Sequence, residues 1–305
     1  MGTQTASPDP GNSRTEWTLR ALGLARATGA PVLACLAGLQ AAPAALGSFA
    51  LGFAEKPAPQ RLGLVEMAML ADLTMGGALR QEVGRTRPLP TLSLTLDLAG
   101  PHGDEGSSVT AVAHDIAVGD GVGTAAGSLR GPRTVVGHCA ATFAIPTRGR
   151  QEELPWDNPE GTHQHGTSAP LRPSDLSDDD QLLLRSVLAA QETDRSWGDH
   201  LVMEATTGSP DGYELIPTPA MTNRAGAVQG GVLFALAAHC AIARDERSRP
   251  RLVSGTMRFL SGTDAAMPVT VVPLAEHATR RSVFAQVRIL QDEDIRAVAG
   301  LVYRL

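Results

Sequence analysis

Two stretches of the chain carry residue types suited to chemistry on a carbonyl group. Asn223 to Gly231 (NRAGAVQGG) is a run of small residues that opens onto the apolar sequence Val232 to Ile242. Glycines at a helix start leave the first backbone N–H groups unpaired and unshielded, and the macrodipole adds partial positive charge there. Such a place suits an oxygen that gains negative charge as a nucleophile adds to its carbonyl, and one donor of this kind lowers the barrier by about 3 kcal/mol. Glycine also admits a substrate close to the backbone. Tight packing of a helix on a sheet is the other use of the same residues. The second stretch holds Asp72, flanked by Leu70, Ala71 and Leu73. An ionised carboxylate is costly to bury there without partners, so its pKa should rise, and it could act as general base toward water or as nucleophile. An Asp bonded to backbone or turned to solvent is the plainer alternative.

These stretches belong to two segments that read as copies of one helix, Arg61 to Gly77 and Val228 to Ile242. Aligning Met69-Leu70-Ala71-Asp72 with Ala235-Leu236-Ala237-Ala238 puts a carboxylate in the first copy where the second has a methyl group. Upstream the asymmetry reverses: the second copy opens with Gly230-Gly231 where the first has Leu64-Val65. Antiparallel packing of the two helices brings the Gly-Gly start of one to the middle of the other and leaves one intact site per chain.

The elements around the helices repeat as well. Thr15 to Thr28 predicts a helix, and Leu64 to Arg80 a buried one through Met67, Leu70, Leu73 and Met75. Thr91 to Leu98 alternates polar and apolar residues with period two, and Val109 to Val118, Gly123 to Leu129 and Arg133 to Ile145 read as further strands. In the second half Ser177 caps a helix to about Gln191, with Asp178, Asp179 and Asp180 in its first turn. The helix from Gly230 to about Arg244 follows, then strands over Arg251 to Leu260, Val269 to Leu274, Ser282 to Leu290 and Arg296 to Arg304. Val109-Thr110-Ala111-Val112 matches Val269-Thr270-Val271-Val272 in this frame. A long helix followed by several strands fits an α+β unit, a helix against an antiparallel sheet, present twice. The boundaries this implies are a disordered 1–13, a first domain over 14–146, a linker over 147–176 and a second domain over 177–305. The composition break at Pro146 to Pro173, rich in Pro, Gly, His, Glu and Asp, marks the linker; its His163-Gln164-His165 lacks the companions of a metal site and reads as solvated loop.

Bulk properties narrow the field. The 305 residues are 43% hydrophobic but only 4% aromatic and include 32 glycines, a globular composition with a core of Ala, Leu and Val. A net charge of −6 argues against a nucleic-acid binder. Cys35, Cys139 and Cys240 are odd in number and widely spaced, so neither a disulfide framework nor a zinc site is indicated, and a cytoplasmic location is the default. Ala30 to Ala54 has no charged residue and is long enough for a bilayer, but Pro31 and Pro43 interrupt it; it reads as buried strands joined by turns.

Asn-x-x-Gly-x-x-x-Gly-Gly leading into a helix, with an acid on the matching helix, resembles the hotdog-fold acyl-CoA thioesterases of the phenylacetate-pathway and 4-hydroxybenzoyl-CoA thioesterase kind. The resemblance implies a tandem double hotdog, each repeat a long helix wrapped by an antiparallel sheet, whose paired repeats form the site and hydrolyse an acyl thioester. It implies Asp72 as the acid that activates water, Thr91 as its hydroxyl assistant, Gly230 as the oxyanion donor and Asn223 as the residue orienting water or carbonyl. Gln229, where the family often has His, and Gly231 would adjoin the substrate. Arg280 and Arg281, in the turn before Ser282, would meet the phosphates of CoA. No metal or organic cofactor is implied, since CoA is part of the substrate. The missing acid at Ala238 and the missing Gly-Gly at Leu64-Val65 depart from the family but fall at one and the same place. His239 and Cys240 read as packed core residues, and Glu66 as an acid on another face of the helix. A non-catalytic acyl-CoA or lipid-binding protein of the same fold is the rival from another class. A hydratase ranks third, because the Asp-x-Asn-Pro-x-His segment expected of that class is absent.

Overall fold

The structure, a computed structural model, describes residues 10–54, 62–99, 109–157, 168–190, 193, 195–209, 212–242 and 250–305. The first half contains α1 (Pro10–Thr28), α2 (Val32–Ala37), β1 (Leu39–Ala41), β2 (Phe49–Phe53), α3 (Leu64–Val83), β3 (Thr91–Leu98), β4 (Thr110–Val118), β5 (Val122–Arg130) and β6 (Val135–Ala144). The second contains α4 (Asp178–Ala189), α5 (Trp197–Glu204), β7 (Thr206–Ser209), β8 (Gly212–Leu215), α6 (Gly230–Cys240), β9 (Arg251–Phe259), β10 (Val269–Ala278), β11 (Ser282–Gln291) and β12 (Asp294–Arg304).

The twelve strands among the described residues join one antiparallel sheet in the order β1-β2-β4-β5-β6-β3-β9-β12-β11-β10-β8-β7. From its centre outward the sheet reads the same both ways, β3-β6-β5-β4-β2-β1 on one side and β9-β12-β11-β10-β8-β7 on the other. The seam is the β3–β9 pair, with Ser93 opposite Arg258 and Asp97 opposite Ser254. Thr95 and Thr256 hydroxyls meet across it at 3.0 Å. The helix order repeats too, with α1, α2 and α3 standing where α4, α5 and α6 stand in the second half.

The two long helices lie side by side and antiparallel. α3 packs on β2 to β6 and on α6, which in turn packs on β9 to β12. Their crossing is close because Gly231 has no side chain: a methyl there would lie 2.7 Å from the Met69 backbone nitrogen. Almost every residue of α3 from Leu64 to Arg80 is buried, Asp72 among them. That explains its nearly continuous apolar sequence, since a helix covered on all sides shows no polar stripe.

Several elements differ from the sequence reading. The uncharged segment does hold strands β1 and β2, but Val32–Ala37 is helical; six apolar residues are too few for either periodicity to register. α1 starts at Pro10, inside the stretch expected to be disordered. The expected linker contributes Leu154 and Trp156 to the core and its Asp157 pairs with Arg80, so this part packs as firmly as an element. α5, β7 and β8 had no sequence signal, being short and mixed in character. His163-Gln164-His165 lies outside the described residues. No helix among the described residues is long and apolar enough to cross a membrane.

Candidate active site

Where α3 and α6 cross, a cavity of about 490 Å³ opens between the halves. Its wall includes Asp72 and Leu73 of α3, Pro88 to Leu92, Asn223 to Arg224, Val228 to Gly230, Phe259 of β9 and the Leu260 to Thr263 loop. The volume and the mostly apolar wall are those of a small-molecule site.

Asp72 and Thr91 meet through a local irregularity of β3. Leu94, Leu96 and Leu98 are buried against the helix, so alternation alone would turn Leu92 inward and Thr91 away. The register with β6 slips between Thr91 and Ser93, a bulge that reverses the last residues. Leu92 is thereby 37% exposed, and the Thr91 hydroxyl donates to Asp72 Oδ1 at 2.8 Å. Burial pushes the Asp72 carboxyl up to about 6, against the opposing pull of the Thr91 hydrogen bond and the Arg80 charge. Near neutral pH the group is then mostly ionised yet still able to take a proton. Arg80, two turns along α3, is locked in a buried bidentate pair with Asp157, Nε to Oδ2 at 2.7 Å and Nη2 to Oδ1 at 3.0 Å. No sequence signal linked those two residues, which lie far apart in the chain.

Gly230 faces Asp72 from the other half. A methyl group on Gly230 would lie 3.6 Å from Asp72 Oδ2 and 3.2 Å from the Phe259 ring. The space beside its Cα is the gap between the carboxylate and the start of α6. Gln229 is the N-cap residue of α6, and its side chain makes no capping bond. The Gly230 N–H, at the cavity wall, thus receives no partner from the cap side chain. The loop before the helix is fixed by Asn223, whose Oδ1 accepts from Ala225 N at 2.8 Å and Ala227 N at 3.1 Å. Asn223 lines the cavity, but its oxygen is spent on holding this turn, so it shapes the approach to Gly230.

Of the residues singled out by sequence, the structure brings Asp72, Thr91, Asn223, Gln229 and Gly230 to one cavity. Gly231 serves the helix crossing and is not part of the cavity wall. Arg280 and Arg281 sit in the tight β10–β11 turn, where the Arg281 carbonyl accepts from Leu305 N, and they do not reach the cavity. The position is set by hairpin geometry, which turn composition alone does not reveal.

The mirror position, at the start of α3, is filled by the protein itself. Asp199 of α5 accepts from Leu64 N at 3.2 Å and Val65 N at 3.0 Å, and His239 Nε2 lies 3.2 Å from its Oδ1. Burial works against this carboxylate, but His239 and the two amides outweigh it and hold its pKa below the usual range. Glu66 is tied down beside it, accepting from Gly63 N, Ser196 Oγ and Gly198 N. Gly63 leaves the room: a methyl there would collide with Ser196 and Asp199. His239 is thus a packed partner of Asp199, and Ala238, which stands where Asp72 would, donates nothing.

No protein-family model and no curated protein sequence matches the chain. Solved structures do. A structure described as an oleoyl thioesterase from Lactobacillus plantarum is 13% identical, covers 86% of this chain and 97% of its own, and superposes with a TM-score of 0.53. A 12:0-ACP thioesterase from Umbellularia californica is 11% identical, covers 86% and 99%, and gives a TM-score of 0.50. A hot dog fold protein from Alicyclobacillus acidocaldarius, 14% identical over 86% and 95%, gives 0.47. At such identities the likeness is one of fold, and the chain has the α+β hotdog fold.

Proposed function

We propose that the chain is a tandem double hotdog, with domains over 14–146 and 177–305, that hydrolyses an acyl-CoA or related acyl thioester at one composite site. The observation that carries the proposal is the approach of the Asp72 carboxylate, braced by Thr91, to the uncapped start of α6 at Gly230 across an apolar cavity. Asp72 takes a proton from water as the water oxygen adds to the thioester carbon. The carbonyl oxygen, now negative, accepts from the Gly230 N–H. When the tetrahedral intermediate collapses, the C–S bond breaks and the proton held on Asp72 passes to the leaving thiolate. A carboxylate with a pKa of about 6 can both take and return that proton near neutral pH. Thr91 holds the carboxylate in one rotamer, Asn223 holds the loop ahead of Gly230, and Gln229 adjoins the bound carbonyl. The chemistry asks for no metal or organic cofactor, and the protein works in the cytoplasm, where acyl thioesters are made and used.

Release of free thiol from a panel of acyl-CoA thioesters, by the wild type and by Asp72→Asn, tests this reading. Hydrolysis by the wild type and a loss of about a hundred- to ten-thousand-fold in the variant is the expected result. Equal and negligible rates would identify the non-catalytic acyl-CoA binder instead.

A further inference from the structure

Among the described residues, three groups in the cavity wall are buried without a hydrogen-bond partner: Arg224 Nη1, both amide atoms of Gln229, and Thr263 Oγ1. Gln229 is 3% exposed and Thr263 2%. They sit on two loops pinned together, Ala265 N donating to the Gly226 carbonyl at 3.1 Å and Ala227 bridging to Asp264. Gln291 fixes the second loop, accepting from Asp264 N and donating to the Asp264 carbonyl, each at 2.8 Å. Buried donors left unpaired in an otherwise well-bonded frame are unfavourable unless something fills them.

Arg224 is the informative member. Its Nη2 is held by neutral acceptors, Gln151 Oε1 at 3.2 Å and the Glu152 backbone carbonyl. The nearby Asp157 carboxylate has both oxygens engaged by Arg80. Burial, Arg80 and the distant pull of Asp157 and Glu152 all act on this guanidinium, with burial the largest influence, yet arginine stays charged under any ordinary condition. Pro31, Asn223 and Arg224 also line an outer groove of about 200 Å³ beside Leu22, Ala25 and Arg26 of α1. Arg224 therefore stands where the reaction cavity meets a way to solvent.

We propose that Arg224 binds an anionic oxygen of the substrate and so sets which acyl thioesters the cavity accepts. The inference rests on the cavity being an acyl thioester site and adds the chemistry of what enters it. Gln229 and Thr263 supply further hydrogen bonds along the same wall. The anion has two sources, a phosphate of the thiol carrier lying in the groove or a carboxylate at the far end of a short acyl chain. A guanidinium whose Nη1 is left without a partner suits either.

Four substrates separate the sources: butyryl and glutaryl thioesters, each on CoA and on phosphate-free N-acetylcysteamine. Arg224→Gln should raise KM by about ten- to hundredfold with kcat retained, a loss confined to substrates that carry the recognised anion. Loss with both CoA esters assigns the phosphate, and loss with both glutaryl esters assigns the carboxylate. Arg224→Lys should recover part of the loss, because charge remains while the fork is gone. An equal loss with all four substrates, butyryl N-acetylcysteamine included, would show a merely structural role and overturn the proposal, as would no loss at all. Calorimetric titration with non-hydrolysable butyryl- and glutaryl-CoA thioethers keeps this test apart from hydrolysis. Binding that depends on Arg224 in a protein that releases no thiol would refute the hydrolase reading and leave the anion anchor standing.

Discussion

The starts of α3 and α6 hold matching places in a helix and strand order that occurs twice, and they are used in opposite ways. At α6 the first residues are Gly230 and Gly231, the side chain of the cap residue Gln229 makes no bond to the helix, and a carboxylate from the other half lies across a cavity. At α3 the first residues are Leu64 and Val65, and their amides already hold the carboxylate of Asp199. The filled end is informative about the open one. The Leu64 and Val65 N–H groups donate to the two oxygens of one carboxylate at ordinary hydrogen-bond distances, inside the core. At the α6 end the described residues supply no such carboxylate bond, and Gly230 borders the cavity while Gly231 packs against α3.

Removing the Asp72 carboxylate, the proposed base, breaks the comparison most severely. Asp72→Asn should cut thiol release by about a hundred- to ten-thousand-fold, while Ala238→Asp, which puts a carboxylate at the filled end, should give no new activity because Asp199 holds the amides. Gly230→Ala comes next. Its methyl enters the space between Asp72 Oδ2 and Phe259, and displacing the carbonyl there should lower kcat/KM on the order of a hundredfold. Asp199→Ala sharpens the contrast from the other side: two buried amides and His239 lose their partner, so stability falls by about 1 to 3 kcal/mol in a denaturant titration, with the pH profile of hydrolysis unchanged.

The pH dependence is the subtlest effect. With Asp72 needed in its ionised form, kcat/KM should rise with pH through about 6. Thr91→Ala removes a bond that favours the ionised form and should move that limb to higher pH; Thr91→Ser should restore it. Stability carries the same signature with the sign reversed. The folded-state pKa of Asp72 lies above the usual carboxylate value, so the native state holds the proton more tightly, and stability is lost as pH rises through that window. Asp72→Asn should therefore unfold at higher temperature than the wild type at pH 8, with the difference shrinking toward pH 4.

Much of this frame was legible in the residues. The alternation of Thr91 to Leu98 gave β3 at its observed limits, and the start of α3 at Leu64 followed from the apolar run. Reading two helices as copies, each missing what the other kept, led to the approach of Asp72 and Gly230. The sequence hid what depends on partners distant in the chain. Asp199 lies in an eight-residue helix of mixed character and acquires its meaning only from Leu64, Val65 and His239. Asp157 lies in a stretch whose composition reads as linker, and its role comes from its pairing with Arg80. Asn223 carried the right residue type, but whether its oxygen faces a substrate or its own turn is a matter of backbone geometry that no spacing discloses. Arg224, beside it, carries no sequence signal, since an arginine in a loop is ordinary; what distinguishes it is a buried N–H without a partner among the described residues.

The proposed hydrolysis needs two groups from different halves to converge on one acyl carbonyl. A crystal structure with an acyl-CoA ketone analogue, in which a methylene replaces the sulfur and the carbonyl remains, examines that directly. The carbonyl oxygen should sit within hydrogen-bond distance of Gly230 N, its carbon facing Asp72, with Asp199 still on Leu64 and Val65. An analogue seated at the start of α3 with Asp199 displaced, or a carbonyl lying away from both Asp72 and Gly230, would contradict it.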